Sequence, residues 1–253
     1  MGASFRAPAV GPFALTPHSK PSVNLPFTVL FEDNHCLVVA KPSRLLVASD
    51  DTGDQTLLGL LRTYNAANQA PGKKGYVAPL HFLDRPVSGI VMFAKSSKAA
   101  SRLSEDFRSR RIDKVYRAIV EGCPRESDAV FDDWLLKDKE ANHVKVVGAR
   151  TPGAKPCQLR CRLLAREGHL SLLDIQPYTG RSHQIRVQLA TRGMPIFGDA
   201  KYGATRPWDG AIALHARRVA FTHPVSKDRM TVEAPLPPTW EAIWPRITDV
   251  QEA

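Results

Sequence analysis

The amino-acid sequence predicts an α+β fold built on a mixed β-sheet. Stretches of strand length and stretches of helical periodicity both occur, but they do not alternate strictly, which argues against a doubly wound arrangement. From Gln158 to Gln176 two alternating strand-like runs follow one another, separated only by Glu167-Gly168. With 253 residues, 43% apolar and 24% charged, the chain has the length and balance to bury a sizeable core.

Residues 1 to 26 carry Pro8, Pro12, Pro17, Pro21 and Pro26 among Ala and Ser, and read as an irregular extension. The prolines break any continuous apolar leader, and no apolar run approaches membrane-spanning length. The expectation is a cytoplasmic monomer with no membrane partner. Residues 27 to 247 are expected to form one domain. It opens as strand, turn, strand: Val29, Leu30 and Phe31, a polar break from Glu32 to His35, then Leu37-Val38-Val39. Thr56 to Ala67 reads as a short helix and Asn68 to Gly75 as a loop. Ile90 to Ala94 is a continuous apolar run of strand length. Ser96 or Ser97 can cap the next helix, whose Ala100, Leu103 and Phe107 share one face and whose end carries Arg108, Arg110 and Arg111. Val115 to Val120 is a strand with Tyr116, Ala118 and Val120 on one face. Residues 125 to 156 read as hairpins and loops. Ser182 can cap a helix running to about Arg192, with Gly193 as its stop.

The charge narrows the choice of partner. Thirty-five Lys and Arg against 25 Asp and Glu give +10, with a pI near 9.7. Such an excess favours a polyanion, because binding neutralises phosphates and releases counterions. Basic segments at Lys73-Lys74, Arg108 to Arg111 and Arg217-Arg218 are candidates for phosphate contact, and each is also readable as a solvated face. The four cysteines form no CxxC pair, so neither a disulfide framework nor a metal site is expected.

The sharpest segment is His81-Phe82-Leu83-Asp84-Arg85-Pro86-Val87-Ser88-Gly89, a loop feeding the apolar strand at Ile90. Alone, Asp84 reads as a loop acid capping a turn. The segment nevertheless resembles the HRLDxxTSG signature of the RluA family of pseudouridine synthases. Other blocks resemble that family in the same order. Val29 to Ser43 is similar to its "yEDexllvvnKPsG" opening, and Lys114 to Val120 to its "KxYxAlV" strand. Thr179-Gly180-Arg181-Ser182-His183-Gln184-Ile185-Arg186 is similar to "TGRtHQIR". Pro195 to Gly203 is similar to "PilGDxxYG", and Leu214 to Pro224 to "LHAxxlxfxHP".

The resemblance implies the pseudouridine synthase fold, a long, largely antiparallel mixed sheet with flanking helices and a central cleft. It implies isomerisation of uridine in RNA, rRNA or tRNA, without metal or organic cofactor. Asp84 would be the nucleophile, Arg186 its paired cation, and Tyr116 the active-site tyrosine, stacking on uracil or taking the C5 proton. Candidates for contact with RNA are His81, Phe82, Arg85, Arg181, His183, Lys41, Arg110 and Arg111. His81, His183 and Lys41 are equally readable as structural. Phe82 stands where the family usually has Arg, which puts RNA selectivity more in question than the chemistry; Val87 stands where it usually has Thr, a departure that other recognisable members share. Larger members carry an N-terminal S4 domain; only 26 residues precede the first block here, so the catalytic domain is expected to hold the RNA itself. The rival readings are a non-catalytic RNA-binding protein on the same scaffold and a glycosidase-like hydrolase.

Overall fold

A computed structural model describes residues 25–49, 53–67, 75–245 and 247. Lys73-Lys74 and nearly all of the N-terminal extension lie outside the described residues. The elements are β1 (Thr28–Glu32), β2 (Cys36–Lys41), α1 (Leu57–Ala67), β3 (Ala78–Pro79), β4 (Ser88–Ala94), α2 (Ser97–Arg108), β5 (Asp113–Glu121), β6 (Asp128–Asp138), β7 (His143–Val147), β8 (Lys155–Glu167), β9 (Leu170–Pro177), α3 (Gln184–Ala190), β10 (Leu214–Thr222) and β11 (Arg229–Glu233). Eleven strands make one sheet in the order β1-β2-β4-β10-β5-β9-β8-β6-β7, with β11 also on β10 and β3 on β4. Each pairing is antiparallel except that of β4 with β10. The mixed, largely antiparallel α+β architecture is therefore present.

The local reasons are legible. All seven residues of β4 are buried, as its uninterrupted apolar run requires. Ser96 is the cap of α2: its side chain accepts a hydrogen bond from the Ala99 N–H at 3.2 Å. Leu103 points into the core from α2, which packs on β4. The main hydrophobic core includes Leu37, Val39, Met92, Phe93, Ile119, Leu172, Phe221 and Trp240, and a smaller cluster of Leu135, Val144, Cys157 and Val187 packs α3 on the β6–β7 end of the sheet.

The turn between β1 and β2 is closed by Asp33. Its Oδ1 accepts from the backbone N–H of His35 at 2.8 Å and of Cys36 at 2.6 Å, and its Oδ2 lies 2.8 Å from His223 Nε2. Asp33, Cys36 and His223 thus gather donors that could in principle hold a metal. Burial, helped by the Asp33 charge, pushes the Cys36 thiol up to about 12. The cluster is already hydrogen-bonded to itself, and it ties the first turn to the loop after β10.

Two expectations need correction. Ser182 does not cap α3; the cap position is His183, in left-handed backbone at φ 50°, with no side-chain cap bond. Gln184 ties this turn instead, its Oε1 accepting from Thr179 Oγ1 at 2.8 Å and from the Arg181 N–H at 3.0 Å. The helix also ends at Ala190 rather than near Arg192, and Gly193 follows at φ 73°. Strands β10 and β11 lie in a region for which the sequence predicts no elements.

Candidate active site

Asp84 sits on the loop between β3 and β4, where the parallel β4–β10 pair begins. Its carbonyl accepts from the Val87 N–H at 3.0 Å, closing a tight turn. The turn enters the sheet at Gly89, φ 109°, where a Cβ would come within 2.4 Å of the Ala216 carbonyl oxygen. Only glycine allows β4 to approach β10 that closely, so Gly89 fixes where the Asp84 loop leaves the sheet.

Lys41 lies beneath this loop. The sequence leaves contact with RNA and a structural place both open for it; the side chain is 1% exposed, which fits the structural place. Its ammonium donates to the carbonyls of Pro42 (3.0 Å), Leu45 (2.8 Å) and Arg85 (3.3 Å). Burial pushes its pKa down to about 7, while the Asp84 charge pulls it back up. The ammonium is turned inward by these three backbone carbonyls, which accept its protons. Arg85 is also turned away from the cleft: its Nε donates to the Arg44 carbonyl at 3.2 Å and its Nη2 pairs with Asp54 at 2.7 Å.

Arg186, on α3, is the hub of the site. Its Nε and Nη2 grip both oxygens of Asp199 at 2.7 and 2.8 Å, and its Nη1 donates to Asp84 Oδ2 at 3.0 Å. A guanidinium can hold two carboxylates in fixed orientation because its donors are planar and divergent. Burial alone would lower its pKa, but the hydrogen bonds and charge of Asp199, followed by Asp84, outweigh burial and raise it. The Tyr202 ring lies under the guanidinium, 5.1 Å from ring centroid to Cζ. Asp199 and Tyr202 belong to the "GDxxYG" block, but nothing in their spacing marks them as supports for the arginine.

Around this pair opens a cleft of about 890 Å³. Tyr116 and Lys114 line it from alternate positions of β5, so both project from the same face. Burial, and secondarily the Asp84 charge, raise the Tyr116 pKa, so the phenol stays protonated. Phe82 stands on the rim, 65% exposed. His81 lines the floor, its Nε2 accepting from the Met92 N–H at 3.1 Å and its ring packed 5.0 Å from that of Phe107. Burial, then the Lys114 charge, pushes its pKa down to about 3, which leaves a neutral imidazole.

Arg181 lines the opposite wall, with its Nε on the Pro156 carbonyl at 3.2 Å. Arg110 and Arg108 line the mouth. Arg111 is paired with Asp106, Nε to Oδ1 at 2.8 Å, and does not line the cleft. His183 lines the cleft, its Nε2 lying 3.8 Å from Asp84 Oδ2. The fold therefore gathers Asp84, Arg186, Tyr116, His81, Phe82, Arg181, His183 and Arg110. It leaves Lys41, Arg85 and Arg111 outside.

The model of the RNA pseudouridylate synthase family matches residues 35–191. The chain belongs to the RluA family of RNA pseudouridine synthases. It is 32% identical over 211 residues to the RNA pseudouridine synthase YhcT of Bacillus subtilis, covering 83% of this chain and 68% of that one. It is 32% identical to ribosomal large subunit pseudouridine synthase C of Vibrio vulnificus, covering 82% of this chain and 65% of that one. A Zymomonas mobilis RNA pseudouridine synthase is 35% identical, with 83% of this chain and 93% of that one aligned. The fold is similar to that of human RNA pseudouridylate synthase domain containing 4, at a TM-score of 0.73, 23% identity and coverage of 87% and 93%. This synthase is thus an isomerase acting on RNA, which sets aside both rival readings.

Proposed function

We propose that this synthase isomerises uridine in ribosomal or transfer RNA with Asp84 as the nucleophile. The observation that carries the reading is the pairing of a part-exposed Asp84 with a buried arginine, itself anchored by a second carboxylate, in the floor of a basic cleft. The reaction breaks the N1–C1′ bond, turns the uracil and joins C5 to C1′; the proton lost from C5 is balanced by one gained at N1. In this reading the Asp84 carboxylate bonds to C1′ as the N1–C1′ bond breaks and is displaced when C5 bonds to C1′, so the sugar is held while the base turns. Arg186 keeps Asp84 aimed through the Nη1–Oδ2 hydrogen bond. Tyr116, protonated, packs against the uracil ring; the raised pKa suits this role better than direct removal of the C5 proton. The names of several relatives refer to the ribosomal large subunit, which supports rRNA as the first substrate to try. Mapping pseudouridine across rRNA and tRNA in cells with and without the protein tests this, and an unchanged map in both would overturn it.

Phe82 is assigned as an apolar wedge. It is the exposed aromatic on the cleft rim, and flipping a uridine costs a few kcal/mol of stacking and pairing. Its exposure is that of a side chain awaiting a base rather than one packed in the core. Phe82→Ala should lower activity on a structured RNA roughly tenfold more than on an unpaired oligonucleotide, since one base–aromatic stack contributes about 1–3 kcal/mol. Equal losses on both substrates, accompanied by a lower melting temperature, would mean that Phe82 only packs.

Lys114 is assigned to a phosphate of the bound strand. Among the described residues it has no acidic partner, and burial lowers its pKa; a phosphate would oppose that shift and pair with the ammonium. Lys114→Gln should reduce the slope of log affinity against log salt by about 0.7, the share of one phosphate on a single strand. An unchanged slope would remove this contact.

A further inference from the structure

We propose that His183 is a positioning residue: neutral, protonated on Nε2, and fixed in that tautomer by Tyr202, it holds Oδ2 of Asp84 jointly with Arg186 and leaves Oδ1 to face the substrate. The proposal rests on Asp84 being the nucleophile and adds how its two oxygens are told apart.

Donors and acceptors can be followed along a chain. The backbone N–H of Val144 donates to the Tyr202 hydroxyl oxygen at 3.0 Å. That oxygen lies 2.7 Å from His183 Nδ1. A phenol has one proton to give. If His183 carried its proton on Nδ1, the Tyr202 oxygen would accept twice, and its own proton would have no acceptor among the described residues. Burial raises the Tyr202 pKa, so this proton is retained. The arrangement that uses every donor sends the Tyr202 proton to Nδ1 and leaves the imidazole proton on Nε2.

Nε2 lies 3.8 Å from Asp84 Oδ2, longer than a hydrogen bond, and this is the same oxygen that Arg186 Nη1 reaches at 3.0 Å. Catalytic contacts are often long in ligand-free enzymes and tighten when substrate binds. Oδ1 has no protein partner among the described residues. His183 is kept neutral first by burial and then by the cations Arg186, Lys201 and Lys137, against the opposing pull of Asp84. A neutral imidazole can donate without adding a second charge to the pair. The backbone of His183 is held at φ 50°, a conformation that non-glycine residues adopt rarely and that is common at functional sites. It lets the ring reach back from the helix start to the cleft.

The test uses two variants with opposite structural and chemical merits. Asparagine is at home in left-handed backbone, so His183→Asn should fold well; its amide nitrogen, however, sits where Nδ1 was. Glutamine suits that backbone less, but its amide reaches the place of Nε2. Single-turnover rates at saturating RNA should fall in the order wild type, Gln, Asn, while melting temperatures put Asn at or above Gln. RNA affinity should move by no more than about twofold for either variant, and the Asn rate should drop roughly tenfold, the scale of one lost hydrogen bond. Nitrogen-15 spectra of the full chain, assigned by the signal lost in His183→Asn, should show the Nε2–H tautomer, and mixed tautomers in Tyr202→Phe. Rates that track melting temperature, or an Nδ1–H signal in the wild type, would overturn the proposal. Turnover by Asp84→Asn would instead overturn the nucleophile and leave the tautomer result standing.

Discussion

Asp84→Asn is expected to abolish pseudouridine formation while leaving the fold and the affinity for RNA nearly untouched. Loss of a covalent nucleophile lowers the rate by on the order of 10⁴-fold or more, with residual activity limited to what binding alone provides. The fold should survive because Asp84 is a guest of Arg186 rather than its anchor. The guanidinium keeps both hydrogen bonds to Asp199 when the Asp84 carboxylate is neutralised, so no buried charge is orphaned. The asparagine oxygen can still accept from Nη1, and a part-exposed ion pair contributes about 1 kcal/mol or less. Three measurements decide the matter: pseudouridine yield in single-turnover conditions, RNA binding by titration, and a thermal melt. Substantial yield from purified Asp84→Asn would sink the nucleophile assignment. A collapsed melt would mean that the residue supports the loop.

The same arrangement explains why some of this molecule is readable from its sequence and some is not. The run from Ile90 to Ala94, the cap at Ser96 and the paired strands about Glu167-Gly168 depend on local pattern, and each is found where the pattern puts it. The start of α3 is not local. Ser182 has the right chemistry for a cap, but Gln184 reaches back to bind Thr179 and Arg181, and no spacing rule announces that. β10 carries Arg217 and Arg218 in mid-strand. Arg217 is accommodated because its Nη1 meets the Ala234 carbonyl at 2.6 Å and its Nη2 meets Glu233 at 3.0 Å, partners that only the folded β10–β11 pair supplies. Among the site residues, motif resemblance brought out those facing the cleft. Lys41 and Arg85 lie in the same motifs, and their inward or sideways direction depends on three carbonyls and one distant carboxylate. Asp199 was invisible as a support because a support is defined by what it touches.

Arg186→Lys is expected to be nearly as damaging as removing the charge, and to harm stability and activity together. Wild-type Arg186 makes three hydrogen bonds through three different nitrogens to two carboxylates. Lysine offers one nitrogen and cannot reproduce the planar fork. If the ammonium stays with Asp199, which is 1% exposed, Asp84 loses its aim. If it moves toward Asp84, a buried carboxylate is left without its bidentate partner, a loss on the scale of about 3–5 kcal/mol. Since the buried acid has more to lose, the lysine should settle on Asp199. The melting temperature should then fall by several degrees, and the single-turnover rate by on the order of 100-fold or more, the penalty of a misplaced reacting group. Asp199→Asn separates the two effects. It removes no group that touches RNA, yet it loosens the arginine, so its rate should fall with RNA affinity unchanged. If Arg186→Lys works at near wild-type rate, or if Asp199→Asn is fully active, Asp84 takes its orientation from something other than this pair of salt bridges.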